Sequence, residues 1–221
     1  MDIFLIVIII LVPLLAEIGV KSNYKKYLKV KNTQKLTGQE VARQILDKNG
    51  LQNVYVVATD GYLSDHYDPS RKTVRLSKEV FEGETVASMS IAAHECGHAI
   101  QDKEGYLFFK IRSAIVPVVN IATSVSYYII LIGFALQMLK LVYLGIAFTS
   151  MGLLFQIVTL PVEFNASERA KKQINKMHLA SKSEEKGVKK MLWSAALTYV
   201  AGVLASAMQI IRLVLISRRN D

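Results

Sequence analysis

The sequence predicts a small α+β domain on a mainly α-helical integral membrane base of about four transmembrane helices. Hydrophobic residues make up 52% of the 221-residue chain and the mean hydropathy is +0.29, both high for a soluble protein. Nearly uncharged runs occupy 3–20, 113–139, 141–160 and 191–216. About 20 apolar residues, at 1.5 Å per helical residue, cross the hydrocarbon core of a bilayer. Between the first two runs the pattern changes to helix-period, strand-forming and turn-rich stretches in alternation, as a folded domain requires.

The first run, interrupted by Pro13, Glu17 and Gly19, reads as an anchor rather than a cleaved leader, since Asp2 precedes it where a leader carries basic residues. Lys21, Lys25, Lys26, Lys29, Lys31 and Lys35 follow, so the positive-inside rule puts the N-terminus outside and these lysines in the cytoplasm. Thr37-Gly38-Gln39-Glu40 ahead of Val41, Ile45 and Leu46 predicts a capped amphipathic helix ending at Gly50. Residues 54–57 and 73–76 favour two short strands around a turn-rich loop at 60–69, and the 73–76 strand is the expected edge for an extended substrate.

A polar stretch closing on Gly105 ends the next helix, and Lys110 and Arg112 mark a basic edge before lipid. The runs 113–139 and 141–160 form a transmembrane hairpin with Lys140 in its connection. Asn120, Thr123, Ser124, Ser126, Gln137 and Gln156 suit helix packing, and the lack of an acid or histidine in the hairpin argues against an ion pump. Pro161 is expected to start a new helix with Glu163 in its first turn. Lys171, Lys172, Lys176, Lys182, Lys186, Lys189 and Lys190 return the chain to the cytoplasm. The last run, 191–216, reads either as a fourth span or as a membrane-associated helix, and leads to Ser217-Arg218-Arg219-Asn220-Asp221. The expected organisation is thus an anchor at 1–20, a cytoplasmic domain at 21–112, the hairpin at 113–160, a basic cytoplasmic segment at 161–190 and a membrane helix with tail at 191–221.

A net charge of +9 raises the question of nucleic acid, but the lysines flank apolar runs and fit a lipid surface instead. The single cysteine, Cys96, cannot form an intrachain disulfide and reads as small apolar packing.

Chemistry concentrates in His94-Glu95-Cys96-Gly97-His98. On a helix, positions i and i+4 share a face, so two imidazoles can offer nitrogens to one tetrahedral Zn2+. Glu95, the one charged residue from Val86 to Ile100, then lies beside the open position, where it can take a proton from a metal-activated water and pass it to a leaving amine. The bland alternative is a chance match whose histidines hydrogen-bond in a core.

Zinc in a catalytic site takes three protein ligands, and only two are local. His66 and His178 are the remaining histidines. Glu163 fits better, because the hairpin leaves the cytoplasmic face soon after His98 and returns to it just before Glu163, with Ser167 one turn further on to orient a ligand. Glu168 is near in sequence but faces away from Glu163 on a helix. The stretch Asp65-His66-Tyr67-Asp68-Pro69 is either a polar turn or part of the cleft, where His66 or Tyr67 donates a hydrogen bond to the oxyanion.

His94-Glu95-Cys96-Gly97-His98 together with Glu163-Phe164-Asn165-Ala166-Ser167 resembles the glutamate-zincins of the HtpX and CAAX prenyl protease type. The order of elements and the 65–69 stretch are more similar still to the YugP-type bacterial membrane zinc metallopeptidases. The resemblance implies a zincin-like catalytic domain in the bacterial cell membrane with its site facing the cytoplasm. It also implies zinc ligands at His94, His98 and Glu163, a general base at Glu95, and a peptide or membrane-protein substrate. Ser167 stands where the wider pattern has aspartate. The function expected is a membrane-embedded zinc endopeptidase. The rival from another class is a catalytically silent zinc-binding scaffold, which an intact Glu95 disfavours.

Overall fold

The computed structural model describes residues 2–219; Asn220 and Asp221 of the expected tail lie outside them. It is mostly helical, with one three-stranded sheet. Four helices are long and apolar enough to cross a membrane: Ile3–Tyr27, Leu107–Ala135, Leu139–Lys176 and Glu185–Arg218. The chain divides into two compact units.

The first unit takes residues 18–109 and 162–197. It contains the end of α1 (Asp2–Tyr27), then α2 (Gly38–Lys48), and the expected capping box is present. The Thr37 hydroxyl accepts from the Glu40 amide while the Glu40 carboxylate accepts from the Thr37 amide, which satisfies two otherwise orphaned donors. The α2 stripe of Val41, Ala42, Ile45 and Leu46 is buried against α4 (Val86–Glu104).

The sheet corrects the sequence reading. A third strand, β2 (His66–Asp68), lies within the supposed loop between β1 (Tyr55–Thr59) and β3 (Thr73–Ser77). The order is β1-β3-β2, with β1 parallel and β2 antiparallel to β3. The 73–76 stretch is therefore central rather than an edge. Its burial explains the placement, because Thr73, Val74, Leu76 and Ser77 are covered on both faces as an inner strand must be. The reversal from β2 to β3 is made by Asp68, whose Oδ1 accepts from the Ser70 and Arg71 amides in an Asx turn.

A single turn, α3 (Lys78–Phe81), leads to α4, whose start is capped by Thr85 accepting from the Ser88 amide. Gly105 closes α4 in the left-handed conformation at φ 65°, as the sequence predicted. Val86, Met89, Ala92, Ala93, Cys96 and Ala99 sit in the core, so α4 is enclosed on nearly every side. Cys96 donates a weak hydrogen bond to the Ala42 carbonyl, and burial raises its thiol pKa, consistent with a packing role. Glu184 ties the 28–37 connection to this unit by accepting from the amides and hydroxyls of Thr33 and Ser181.

The second unit takes the stretches of α1, α5 (Leu107–Ala135), α6 (Leu139–Lys176) and α7 (Glu185–Arg219) that lie in 2–17, 110–161 and 198–219. Large apolar side chains such as Phe4, Ile121 and Leu154 face outward, as lipid contact requires. Close helix approach is made by glycine: a Cβ on Gly145 would come within 2.4 Å of Ile130 Cγ1, and one on Gly133 within 2.8 Å of the Val142 amide. Ser206 donates to Gln156 Oε1 across two helices, while Thr123 and Ser126 bond their own helix carbonyls.

Two boundaries differ from expectation. Lys140 is in the first turn of α6, because the connection is 136–138 and Gln137 supplies its left-handed residue at φ 54°. Pro161 starts no helix; α6 runs through it unbroken, so Glu163 is an interior residue. Proline removes one donor from a helix but long apolar helices tolerate it where neighbours and side chains compensate.

Candidate metal centre

The site is built from two helices of the first unit. On α4, His94 and His98 are one turn apart, with ring centroids 4.8 Å apart and planes nearly perpendicular at 86°. On α6, Glu163 is 2% exposed and points its carboxylate at both rings, with Oε2 3.3 Å from His94 Nε2 and 3.6 Å from His98 Nε2. The ligand-type atoms of these three residues all lie within 4.8 Å of one another. Bonds of about 2.0–2.2 Å in a tetrahedron put neighbouring donor atoms about 3.3–3.6 Å apart, so the spacing of Oε2 from the two nitrogens suits zinc.

The far side of each imidazole is held by the protein. Gln101 is fully buried on α4, three residues beyond His98, and its Nε2 donates to the Val162 carbonyl and to Asn165 Oδ1. Gln101 Oε1 is thereby left as an acceptor for His98 Nδ1–H at 3.0 Å. The His98 tautomer is fixed with its Nε2 lone pair toward Glu163. Arg169 extends the chain of contacts, with Nε on Asn165 Oδ1 and Nη1 on Glu104 at 2.7 Å. On the other ring, Ser167 Oγ lies 3.2 Å from His94 Nδ1 and serves as its acceptor when Nε2 faces the metal position. Serine thus makes a contact that the sequence had assigned to it only in outline. Gln101 was missed, read merely as part of a polar helix end; its i+3 spacing from His98 is the signal that marks it.

Loss of the Gln101 contact is expected to weaken zinc binding by about 10–100-fold in Gln101→Ala, measured by competition with a chelator.

Glu95 follows His94 on α4, is 7% exposed and accepts no hydrogen bond among the described residues. Asp65 is near enough to feel its charge; burial and that charge raise the Asp65 pKa against the opposing hydrogen bonds from Ser77. His66 is exposed on β2 and its Nδ1 bonds the Ser64 carbonyl, so the neutral ring presents Nε2 as an acceptor. Tyr67 points to the opposite side of the strand, is buried, and donates to Asp102 at 2.8 Å; burial raises its pKa, and it is engaged in the core. His178 bonds through its carbonyl to Gln34, and Glu168 is exposed beside Lys171; neither is among the residues brought together at the site.

A membrane chain that gathers two histidines and a glutamate around one point has the donor set of a zinc protein. Comparison with known proteins agrees: residues 2–218 match the family described as "Putative neutral zinc metallopeptidase", and the chain belongs to that family. It is 48% identical over 201 residues to the "Putative membrane protease YugP" of Bacillus subtilis (strain 168), covering 91% of this chain and 89% of the relative. No solved structure matches it. Zinc is accordingly the metal of this protein, and His94, His98 and Glu163 form the group able to hold it.

Proposed function

We propose that the protein is a membrane-embedded zinc endopeptidase of the glutamate-zincin type, with its site on the cytoplasmic face of a bacterial cell membrane. The observation that supports it best is the convergence of His94 Nε2 and His98 Nε2 on Glu163 Oε2, with both Nδ1 atoms occupied by acceptors of the chain itself. When bound there, zinc supplies a Lewis acid that polarises a carbonyl and acidifies water.

The chain's own residues do the rest. Glu95 receives the proton of the attacking water on its carboxylate and delivers it to the departing amine, a role that needs a carboxylate without prior hydrogen-bond commitments. The extended peptide is held on the outer edge of β2, which pairs only with β3 among the described strands. His66, exposed on that strand, is the proposed oxyanion donor; with Nδ1 on Ser64, it donates from Nε2 only as the imidazolium. Positive charge in the segments flanking the apolar runs supports the cytoplasmic orientation.

Glu95→Gln tests the reading. The variant is expected to retain stoichiometric zinc and to lose peptide hydrolysis by roughly 100-fold or more, measured on the purified protein in detergent with metal analysis alongside. Unchanged hydrolysis would remove Glu95 from the chemistry. A wild-type protein that holds zinc and cleaves no peptide would favour the silent scaffold.

A further inference from the structure

We propose that a lysine-lined hollow in the first unit binds the phosphate of an anionic lipid headgroup. The end of α6, the 177–184 connection and the start of α7 enclose a cavity of about 320 Å³. That is within the range of small-ligand sites, about 300–1,000 Å³. Lys171 comes from α6, Lys182 from the connection, and Lys186 and Lys189 from α7, so separate segments place lysines on one concave surface. Buried Ile174 and Val188 lie among them as apolar floor.

Acids offset this charge only in part, since lysines outnumber them four to one in the lining. Glu185 is the one acid among the lining residues. Lys171 has a single loose approach to Glu168 at 3.8 Å, both side chains well exposed, and such a pair contributes little. Glu184 is the nearest other acid in sequence, and its carboxylate is taken up by Thr33 and Ser181. Burial opposes its ionisation, but those hydrogen bonds outweigh it and lower its pKa. Lys182, Lys186 and Lys189 have no ion-pair partner among the described residues. Like charges gathered this way repel unless an anion sits between them, and the N-terminal end of the 35-residue α7 adds positive potential to the same place. The positive-inside rule accounts for the number of lysines near a span but not for their convergence from separate segments on one hollow.

The depth of the hollow favours lipid over soluble phosphate. Trp193 follows Lys189 by one turn of α7 and is 55% exposed, at the start of the apolar run 191–216 of that helix. Tryptophan in this position marks the headgroup level of a bilayer, which puts the lysines at the height of lipid phosphates. Lysine suits such a ligand because its point charge on a flexible stem neutralises a diester without the bidentate geometry of arginine.

The inference depends on α7 entering the membrane and not on the peptidase reading. Its test is native mass spectrometry of the full-length protein in detergent, titrated with dioleoyl phosphatidylglycerol or dioleoyl phosphatidylcholine. The wild type is expected to retain one phosphatidylglycerol in clear preference to phosphatidylcholine. At roughly fivefold per lysine, Lys182→Ser, Lys186→Ser and Lys189→Ser combined should lower that affinity on the order of 100-fold. A control with the same change of charge, Lys25→Ser, Lys29→Ser and Lys31→Ser, should keep it within about fivefold. Circular dichroism of both variants verifies folding, since all six lysines are exposed. Equal losses in the two variants, or no preference in the wild type, would overturn the site. Displacement of retained lipid by millimolar inorganic phosphate in the wild type alone would support it, whereas retention of inorganic phosphate without any lipid preference would overturn the lipid assignment.

Discussion

Glu163→Ala is expected to lose zinc and peptide hydrolysis together, with the helices intact. The residue is 2% exposed on α6 and supplies an oxygen, Oε2, that faces both imidazoles. Removing it leaves two nitrogens to hold the cation, and a two-ligand site does not retain zinc against competing chelators. The loss should exceed the about 10–100-fold expected for an orienting residue such as Gln101. Inductively coupled plasma analysis after dialysis against a weak chelator measures it, and Glu168→Ala and His178→Ala serve as comparisons because both lie outside the converged group. Zinc retained at full stoichiometry in Glu163→Ala, with loss in His178→Ala, would reassign the third ligand. Glu163→Gln separates charge from shape, since the amide keeps an oxygen donor but not its negative charge.

Much of this centre was legible because its signals are local. The two histidines of α4 stand at a helical spacing that depends on four residues of sequence, and the Thr37 capping box and Gly105 cap depend on as few. The pairing of α4 with Glu163 was read from a topological argument, that a hairpin must return to the face it left. The structure brings those residues together, but on a helix that runs straight through Pro161 rather than starting there. Proline inside a helix loses one hydrogen bond and clashes with the carbonyl four residues back, a cost that neighbouring helices and side chains can compensate, and sequence does not show what surrounds it.

The sheet was harder. His66-Tyr67-Asp68 sits between turn-forming residues and is too short to show a period, so nothing local distinguished it from loop. It is a strand because β3 offers it partners and because Tyr67 reaches Asp102 on α4, both long-range contacts. The same limit hid the centrality of β3. Burial on both faces is a tertiary property, and the edge placement of Thr73-Val74-Arg75-Leu76 rested on analogy with other zinc peptidases rather than on its own residues. Gln101 was passed over for a related reason: a buried amide is informative only once its partners on another helix are known.

Gly97→Val is expected to abolish zinc binding through a residue that touches no metal. Gly97 lies between the two histidines on α4, facing the backbone of α6. A Cβ built there comes within 2.5 Å of the Ala166 carbonyl oxygen, 3.1 Å of its carbonyl carbon and 3.2 Å of its Cα. These are backbone atoms, which cannot swing aside as the end of a side chain can. Even Gly97→Ala therefore forces the helices apart, and Gly97→Val adds two further methyl groups to the same clash. Ala166 is on the segment of α6 that carries Glu163 and Ser167, so the displacement falls on the carboxylate and on the His94 contact at once. A shift of about 1 Å is enough to spoil a site whose bonds are fixed to within about 0.2 Å. Overpacking a core of this kind costs about 1–3 kcal/mol in stability, so the fold should persist at low temperature while zinc is lost. Thermal unfolding followed by circular dichroism, with metal content measured on the same samples, separates the two effects. Gly97→Ala should bind zinc more weakly than wild type and more tightly than Gly97→Val, and a Gly97→Val protein with full zinc and unchanged hydrolysis would mean that the two helix backbones are not in contact at this point.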